Sequence, residues 1–144
     1  MLHVLSSACS RMDRHGRTVF PREACGLLLG TYDGDRTVVA EAVAARNLAP
    51  EADRFELDPQ GFADALRRAD SRGLEIVGCY HSHPSGRAVP SKEDHAAAQP
   101  GWSHVILAVT PTEEGEPEVT DRRSCRLGDE GRLTAEAARW ELGS

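Results

Sequence analysis

Hydrophobic residues follow two patterns along the chain, one with the period of a helix and one of short apolar runs. Leu5, Ala8, Cys9 and Met12 recur at helical spacing, which predicts an amphipathic helix over residues 4–15. Apolar runs rich in β-branched residues predict strands over residues 25–30, 37–45, 74–83, 104–110 and 118–127. This order of elements indicates an α/β or α+β domain with a mixed sheet and two or three helices.

Turn and capping residues mark where several elements begin and end. Asp33-Gly34 predicts a hairpin turn between the first two strands. Asp58 is a suitable N-cap, Pro59 suits the first helical position, and Gly73 suits the helix end, so a helix is predicted between them. The side chains expected to face inward from this helix are Phe62, Ala65, Leu66 and Ala69.

Two stretches near the end of the chain are less regular. Ser91 is expected to begin a short helix that ends before Pro100. Residues 132–142 are compatible with either a helix or a strand. With 144 residues, the whole chain (1–144) is expected to form a single domain.

Composition narrows the class of protein. Hydrophobic residues make up 40% and charged residues 28%, which is typical of a globular chain rather than a disordered one. The net charge of -6 argues against nucleic acid or an anionic membrane as a partner, because both favour a basic face. No apolar run approaches the roughly 18 residues of a membrane span, and the N-terminal residues lack the features of a signal peptide.

The four cysteines are Cys9, Cys25, Cys79 and Cys125, and none forms a CxxC pair. We expect them to be reduced, mostly buried thiols of a cytoplasmic protein, because a chain of this length does not need disulfides to fold. A Cys–His nucleophile involving Cys25 or Cys79 is the alternative, but their spacing does not call for it.

The stretch "CYHSHPSGRAVPSKEDHAAA" (79–98) carries the strongest chemical signal. His81 and His83 lie at the end of a predicted strand, where residues i and i+2 point to the same face. Their Cα atoms would be about 6.5–7 Å apart, and tilted imidazole rings could bring two nitrogens to the roughly 3.3 Å that tetrahedral zinc requires. Asp94 falls in the first turn of the next helix and could supply a third ligand.

Two histidines and one aspartate would leave a fourth zinc position for water, which is typical of a catalytic site. Zinc lowers the pKa of that water to about 7, and a separate carboxylate is still needed to move its proton. The residues alone do not select this base from the acids Glu23, Glu41, Glu56 and Glu93.

Each part of this pattern also has a simpler explanation. His-x-His pairs occur on surfaces and in cores without any metal. "SKED" is a good helix start in its own right, with Ser91 as N-cap and Asp94 complementing the helix dipole. Capping and metal binding are compatible, because one helix start could serve both.

Together, "HSHP" (81–84) and "PSKED" (90–94) resemble the signature of the JAMM (MPN+) zinc metalloproteases, and "PREACGLLLG" (21–30) resembles the glutamate segment of that family. The resemblance covers nearly the whole chain. It implies an α/β fold in which helices sandwich a mixed sheet, similar to the cytidine-deaminase fold, although the deaminase motif itself is missing from this sequence.

The resemblance assigns a role to each motif residue. It implies that His81, His83 and Asp94 bind one zinc ion, that Glu23 is the general base and acid acting on the zinc-bound water, and that Ser91 helps to hold the oxyanion. The implied reaction is hydrolysis of an amide or isopeptide bond without a covalent acyl-enzyme.

The chain is similar to compact prokaryotic members that cleave after the C-terminal Gly-Gly of ubiquitin-fold sulfur-carrier proteins. Such a carrier protein or its conjugate is therefore the expected substrate, and a homodimer is left open. The alternatives are a non-catalytic MPN scaffold, disfavoured because every motif position is filled, and a zinc hydrolase of another small amide.

Several residues near the motif have no assigned role at this point. His95 is expected to be solvated rather than to support a metal ligand, and His104 to be a satisfied core or edge histidine. Arg87 and Val89 lie between the expected ligands and could contact the substrate tail or form a solvated turn. Phe55 and Trp102 are expected to contribute packing.

Overall fold

The fold is taken from a computed structural model, which describes residues 1–143. Its helices are α1 (Ser6–Val19), α2 (Pro59–Arg72) and α3 (Lys92–Ala96). Its strands are β1 (Leu2–Val4), β2 (Cys25–Asp33), β3 (Arg36–Ala45), β4 (Glu75–His83), β5 (Ser103–Pro111), β6 (Pro117–Leu127), β7 (Leu133–Glu136) and β8 (Ala138–Trp140).

All eight strands join one mixed sheet in the order β7-β6-β5-β4-β2-β3-β1-β8. The central strand β4 runs antiparallel to β2 and parallel to β5. Strands β2 and β3 form the predicted hairpin, and Asp33 pairs with Arg36 across its turn. The predicted fold class, a mixed sheet with helices on its faces, is confirmed.

The two long helices cover opposite faces of the sheet. Ala8 and Met12 of α1 are buried in the larger apolar cluster with Leu28, Tyr80 and Leu107 of the sheet. Helix α2 covers the other face, where a smaller cluster joins its alanines to β2. Because successive residues of a strand face opposite sides, Cys79, His81 and His83 lie on the α2 side.

The predicted ends of α2 are confirmed. The side chain of Asp58 accepts a hydrogen bond from the Gln60 amide, and Gly73 adopts the left-handed conformation with φ 67°. The predicted inward stripe is only partly right. Ala65 and Ala69 are buried, whereas Phe62 and Leu66 are 39% and 46% exposed, because the helix lies close to the sheet only along its alanine positions.

The structure also refines three parts of the prediction. The first helix begins at Ser6 and continues to Val19, beyond the predicted residue 15. The ambiguous stretch 132–142 contains two short strands, β7 and β8, on opposite edges of the sheet. Strand β1 was not predicted, because three residues are too few to establish a period.

All four cysteines are free thiols, and three of them are buried, as expected; Cys79 is partly accessible. Among residues 1–143, no helix is long and apolar enough to cross a membrane.

Gly78 allows β4 and β5 to lie close together. A Cβ atom at this position would overlap the backbone carbonyl of Ser103, which is paired with Gly78 across the two strands. We expect Gly78→Ala to lower the free energy of unfolding by about 2 kcal/mol or more, because the obstructing atom belongs to backbone and cannot rotate away. Urea denaturation measures this change.

Gly128→Ala is the matched control. A Cβ atom at Gly128 meets its nearest neighbours at 3.5 Å, an ordinary contact distance. If the two variants unfolded at the same urea concentration, close packing of β4 against β5 would not explain why position 78 is a glycine.

Candidate functional site

Two histidine side chains converge at the carboxyl end of β4. His81 and His83 point to the same face, and their Nε2 atoms are 2.9 Å apart. His81 is buried, with only 4% of its surface exposed. The local period of the strand therefore places two imidazole nitrogens side by side, as their spacing in the sequence predicted.

A carboxylate from α3 completes this group. Asp94 Oδ2 lies 3.1 Å from His81 Nε2 and 3.2 Å from His83 Nε2. Ser91 and Asp94 form a capping box: the Ser91 hydroxyl accepts the Asp94 amide hydrogen, and Asp94 Oδ2 accepts the Ser91 amide hydrogen at 2.9 Å. The helix start therefore holds the same carboxylate oxygen that faces the histidines.

The chemistry of these three atoms suits a metal cation. His83 Nδ1 lies 2.8 Å from the backbone carbonyl of Arg87, so the neutral ring carries its proton there and presents a lone pair at Nε2. Burial lowers the pKa of His81 and so favours its neutral form. Although burial alone would raise the pKa of Asp94, its contacts with both histidines hold it well below the ordinary value.

The spacing also fits. Donor atoms bound to tetrahedral zinc at about 2.0–2.1 Å lie roughly 3.3 Å apart, and the three atoms here are separated by 2.9–3.2 Å. Glu23, His81 and His83 form a second group that could hold a metal, with ligand atoms within 4.8 Å of one another. Asp94 Oδ2 thus contacts both imidazole nitrogens directly, and Glu23 is a second carboxylate beside them.

Glu23 lies just before β2, where the chain passes the end of β4. Its side chain is buried, and burial, reinforced by the charge of Asp94 and opposed by that of His83, raises the pKa of Glu23 to about 7. A carboxyl group with this pKa can both accept and release a proton near neutral pH.

The other three acids that the sequence offered are placed differently. Glu41 lies on β3 and pairs with Arg68 and Arg72 of α2. Glu56 and Glu93 line the cavity but are exposed to solvent. Glu23 is thus the one member of the four that is buried beside the histidines.

Two histidines outside the motif each accept a backbone amide hydrogen. His95 Nδ1 accepts the Leu133 amide hydrogen at 3.0 Å and the residue is only partly exposed, so the expectation of a solvated His95 holds only in part. His104 Nε2 accepts the Gln99 amide hydrogen at 3.1 Å, while its buried Nδ1 has no partner in residues 1–143, so His104 is only half satisfied. The His95 contact was not predictable, because Leu133 begins β7, 38 residues further along the chain.

The group of ligand atoms opens into a cavity of about 750 Å³ with mostly apolar walls. Phe55, in the loop before α2, stacks on the His81 ring with centroids 4.5 Å apart, so it contacts the site rather than only filling the core. Arg87, Val89 and Trp102 also line the cavity.

The cavity also contacts Cys79, and Cys25 lies next to it on the same face. Burial raises the pKa of both thiols to about 12. Since the reactive form of cysteine is the thiolate, these values count against a Cys–His nucleophile.

Comparison with known proteins identifies relatives of this chain. It is 40% identical to the desampylase of Haloferax volcanii over 89 residues, which are 61% of this chain and 63% of the relative. The match therefore spans less than two thirds of that protein. The chain is also 28% identical to the CysO-cysteine peptidase of Mycobacterium tuberculosis over 136 residues, covering 94% of this chain and 88% of the peptidase.

A solved structure and a family profile also match this chain. The solution structure of a protein from Desulfitobacterium hafniense aligns with a TM-score of 0.82 and 27% identity, over 99% of this chain and 94% of the other. The profile described as "Prokaryotic homologs of the JAB domain" matches residues 5–127, which include every motif residue named above. The resemblance found in the sequence is confirmed, and the chain belongs to the family of prokaryotic JAB-domain proteins.

Proposed function

We propose that this protein is a zinc-dependent hydrolase that cleaves an amide or isopeptide bond. The observation that carries the proposal is the convergence of two imidazole nitrogens and one carboxylate oxygen within 3.2 Å of one another, with the buried Glu23 beside them. The same convergence counts against a non-catalytic scaffold, because such a scaffold does not need these three atoms to lie together.

His81, His83 and Asp94 are the residues that would hold the metal. When bound, zinc supplies a Lewis acid that polarises a carbonyl group and lowers the pKa of water. The backbone carbonyl of Arg87 fixes the orientation of the His83 ring, and the Phe55 ring covers one face of His81. These contacts limit the rotation of both imidazoles and so prepare the site for a metal.

Glu23 is the proposed proton carrier. Its raised pKa allows the carboxylate to take a proton from the attacking water and then to deliver it to the leaving amine. Ser91 is the proposed oxyanion donor. Its oxygen already accepts the Asp94 amide hydrogen, so its own O–H remains available to stabilise negative charge on the substrate oxygen.

The proposed substrate is the amide bond that follows the C-terminal Gly-Gly of a ubiquitin-fold sulfur-carrier protein. This assignment rests on the names of the relatives, one a desampylase and the other a CysO-cysteine peptidase. The cavity is large enough for an extended peptide tail.

We further propose a cytoplasmic location, consistent with the free thiols; a homodimer stays a prediction.

The first test concerns the metal. We expect the purified protein, supplied with zinc, to hold about one zinc ion per chain, and His83→Ala and Asp94→Ala to lose it, because each removes one of three ligands. Elemental analysis measures the zinc content directly.

Glu93→Ala is the control for Asp94→Ala, because Glu93 is a neighbouring acid on the same short helix but is exposed. It should keep its zinc. Full zinc occupancy in the Asp94 variant would mean that the assigned ligand set is wrong, and a wild-type protein that binds no zinc would contradict the proposed function.

The second test concerns proton transfer. Glu23→Gln should retain zinc and lower the rate of conjugate cleavage by about 10²- to 10⁴-fold, the usual contribution of a general base. Cleavage of a carrier protein joined through its Gly-Gly terminus to a reporter amine provides the rate.

Glu118→Gln is the corresponding control, since Glu118 is an exposed acid on β6 that does not line the cavity. Its turnover should remain near that of the wild type. If Glu23→Gln were as fast as the wild type, Glu23 would not be the base.

A further inference from the structure

The peptide group that joins Glu23 to Ala24 forms a hydrogen bond to a side chain through its N–H and another through its carbonyl. The Ala24 N–H donates to Ser82 Oγ at 2.7 Å, and the Glu23 carbonyl accepts from Asn47 Nδ2 at 3.0 Å. Ser82 and Ala24 are each only 1% exposed. A side-chain contact from each direction therefore fixes this one peptide plane.

The contact with Ser82 replaces a regular sheet hydrogen bond. The β2–β4 ladder ends at the pair Cys25–His81, and the Ser82 N–H still donates to the Ala24 carbonyl at 3.0 Å. In a continued antiparallel ladder the Ala24 N–H would return a bond to the Ser82 backbone carbonyl. It donates to the Ser82 hydroxyl instead, so the hydroxyl sets where the chain leaves the sheet.

Asn47 holds the same peptide from the opposite side. Its Nδ2 also donates to the Arg54 carbonyl, and its Oδ1 accepts the amide hydrogens of Ala49 and Glu56. All four hydrogen-bonding positions of this carboxamide are used. Asn47 therefore ties Glu23 to the loop that carries Phe55 over His81.

We propose that Ser82 and Asn47 act as a clamp that positions the Glu23 carboxyl group beside the His81–His83–Asp94 group. Neither residue touches the ligand atoms, and the Ser82 side chain lies on the face of β4 opposite to His81 and His83. Both are positioning residues, and the inference rests on the proposed role of Glu23 as the proton carrier.

Ser82→Ala removes the acceptor of the Ala24 amide without adding any atoms. We expect kcat to fall about 10- to 100-fold, as displacements of about 1 Å commonly cause, while KM and zinc affinity change less than about twofold. Ser82→Thr keeps the hydroxyl and should restore most of the rate. Combining Ser82→Ala with Glu23→Gln should give no further loss beyond Glu23→Gln alone, because both changes remove the same proton transfer.

Asn47→Asp provides a second variant, should the Ser82 changes impair folding. It removes the donor to the Glu23 and Arg54 carbonyls while keeping the oxygen that accepts from the loop amides, so it should lower kcat with zinc retained. Ser124→Ala is the matched control: Ser124 is another buried strand serine, and its hydroxyl donates to Glu136 on β7, away from the site. Its kinetics should match the wild type.

Two measurements on the metal-free protein test the clamp independently of turnover. Hydrogen exchange of the Ala24 amide should be at least about tenfold faster in Ser82→Ala and close to the wild-type rate in Ser82→Thr. The NMR shift of the Glu23 side-chain carboxyl carbon should change in Ser82→Ala and Asn47→Asp but not in Ser124→Ala.

The outcomes separate this inference from the proposed function. If no variant, including the wild type, cleaves the conjugate, the hydrolase proposal fails, while the exchange rate and the Glu23 shift still decide whether the clamp exists. An unchanged Glu23 shift in both clamp variants would overturn the inference. Wild-type turnover in Ser82→Ala would also overturn the inference. The same is true if Ser82→Ala lost its zinc together with its activity.

Discussion

Three atoms that each offer a lone pair, His81 Nε2, His83 Nε2 and Asp94 Oδ2, lie 2.9–3.2 Å apart at a site largely shielded from solvent. Such atoms repel one another unless a proton or a cation lies between them. The surrounding backbone holds the three atoms close together, because the strand fixes the two histidines, the capping box fixes the aspartate and the Arg87 carbonyl fixes the tautomer of His83. When no proton lies between these atoms, their mutual repulsion favours the binding of a cation.

The topology of the sheet explains why these residues meet. Strand β4 has an antiparallel neighbour, β2, whose start lies beside the carboxyl end of β4 and brings Glu23 there. Its other neighbour, β5, is parallel, so the chain must cross from one end of the sheet to the other between them. That crossover contains α3 and carries Asp94 past the histidines. The proton carrier and the third ligand thus arrive from the two sides of one strand.

Much of the site was predictable because its determinants are local. The alternation of a strand places His81 and His83 on one face, and a serine three residues before an aspartate specifies a capping box; neither depends on the rest of the fold. The roles of Glu23 and Ser91 came from family resemblance, and they stay predictions. In the fold, too, local rules succeeded: Asp58 and Gly73 mark the two ends of α2 as predicted.

The failures concern contacts between distant parts of the chain. The exposure of Phe62 and Leu66 depends on how α2 approaches the sheet, which its own periodicity does not reveal. The bond from the Leu133 amide to His95 spans 38 residues, and that from Ala24 to Ser82 spans 58. Ser82 was visible within "HSHP", but its partner is an ordinary backbone amide, which leaves no recognisable sequence signal.

The larger apolar cluster and the histidine side chains occupy opposite faces of the same sheet. Substitution of a histidine therefore leaves the packing of α1 against the sheet almost untouched. A gene duplicate of this protein that lost one histidine would still encode a folded domain, free to diverge toward a new role while its sister copy kept the ancestral one.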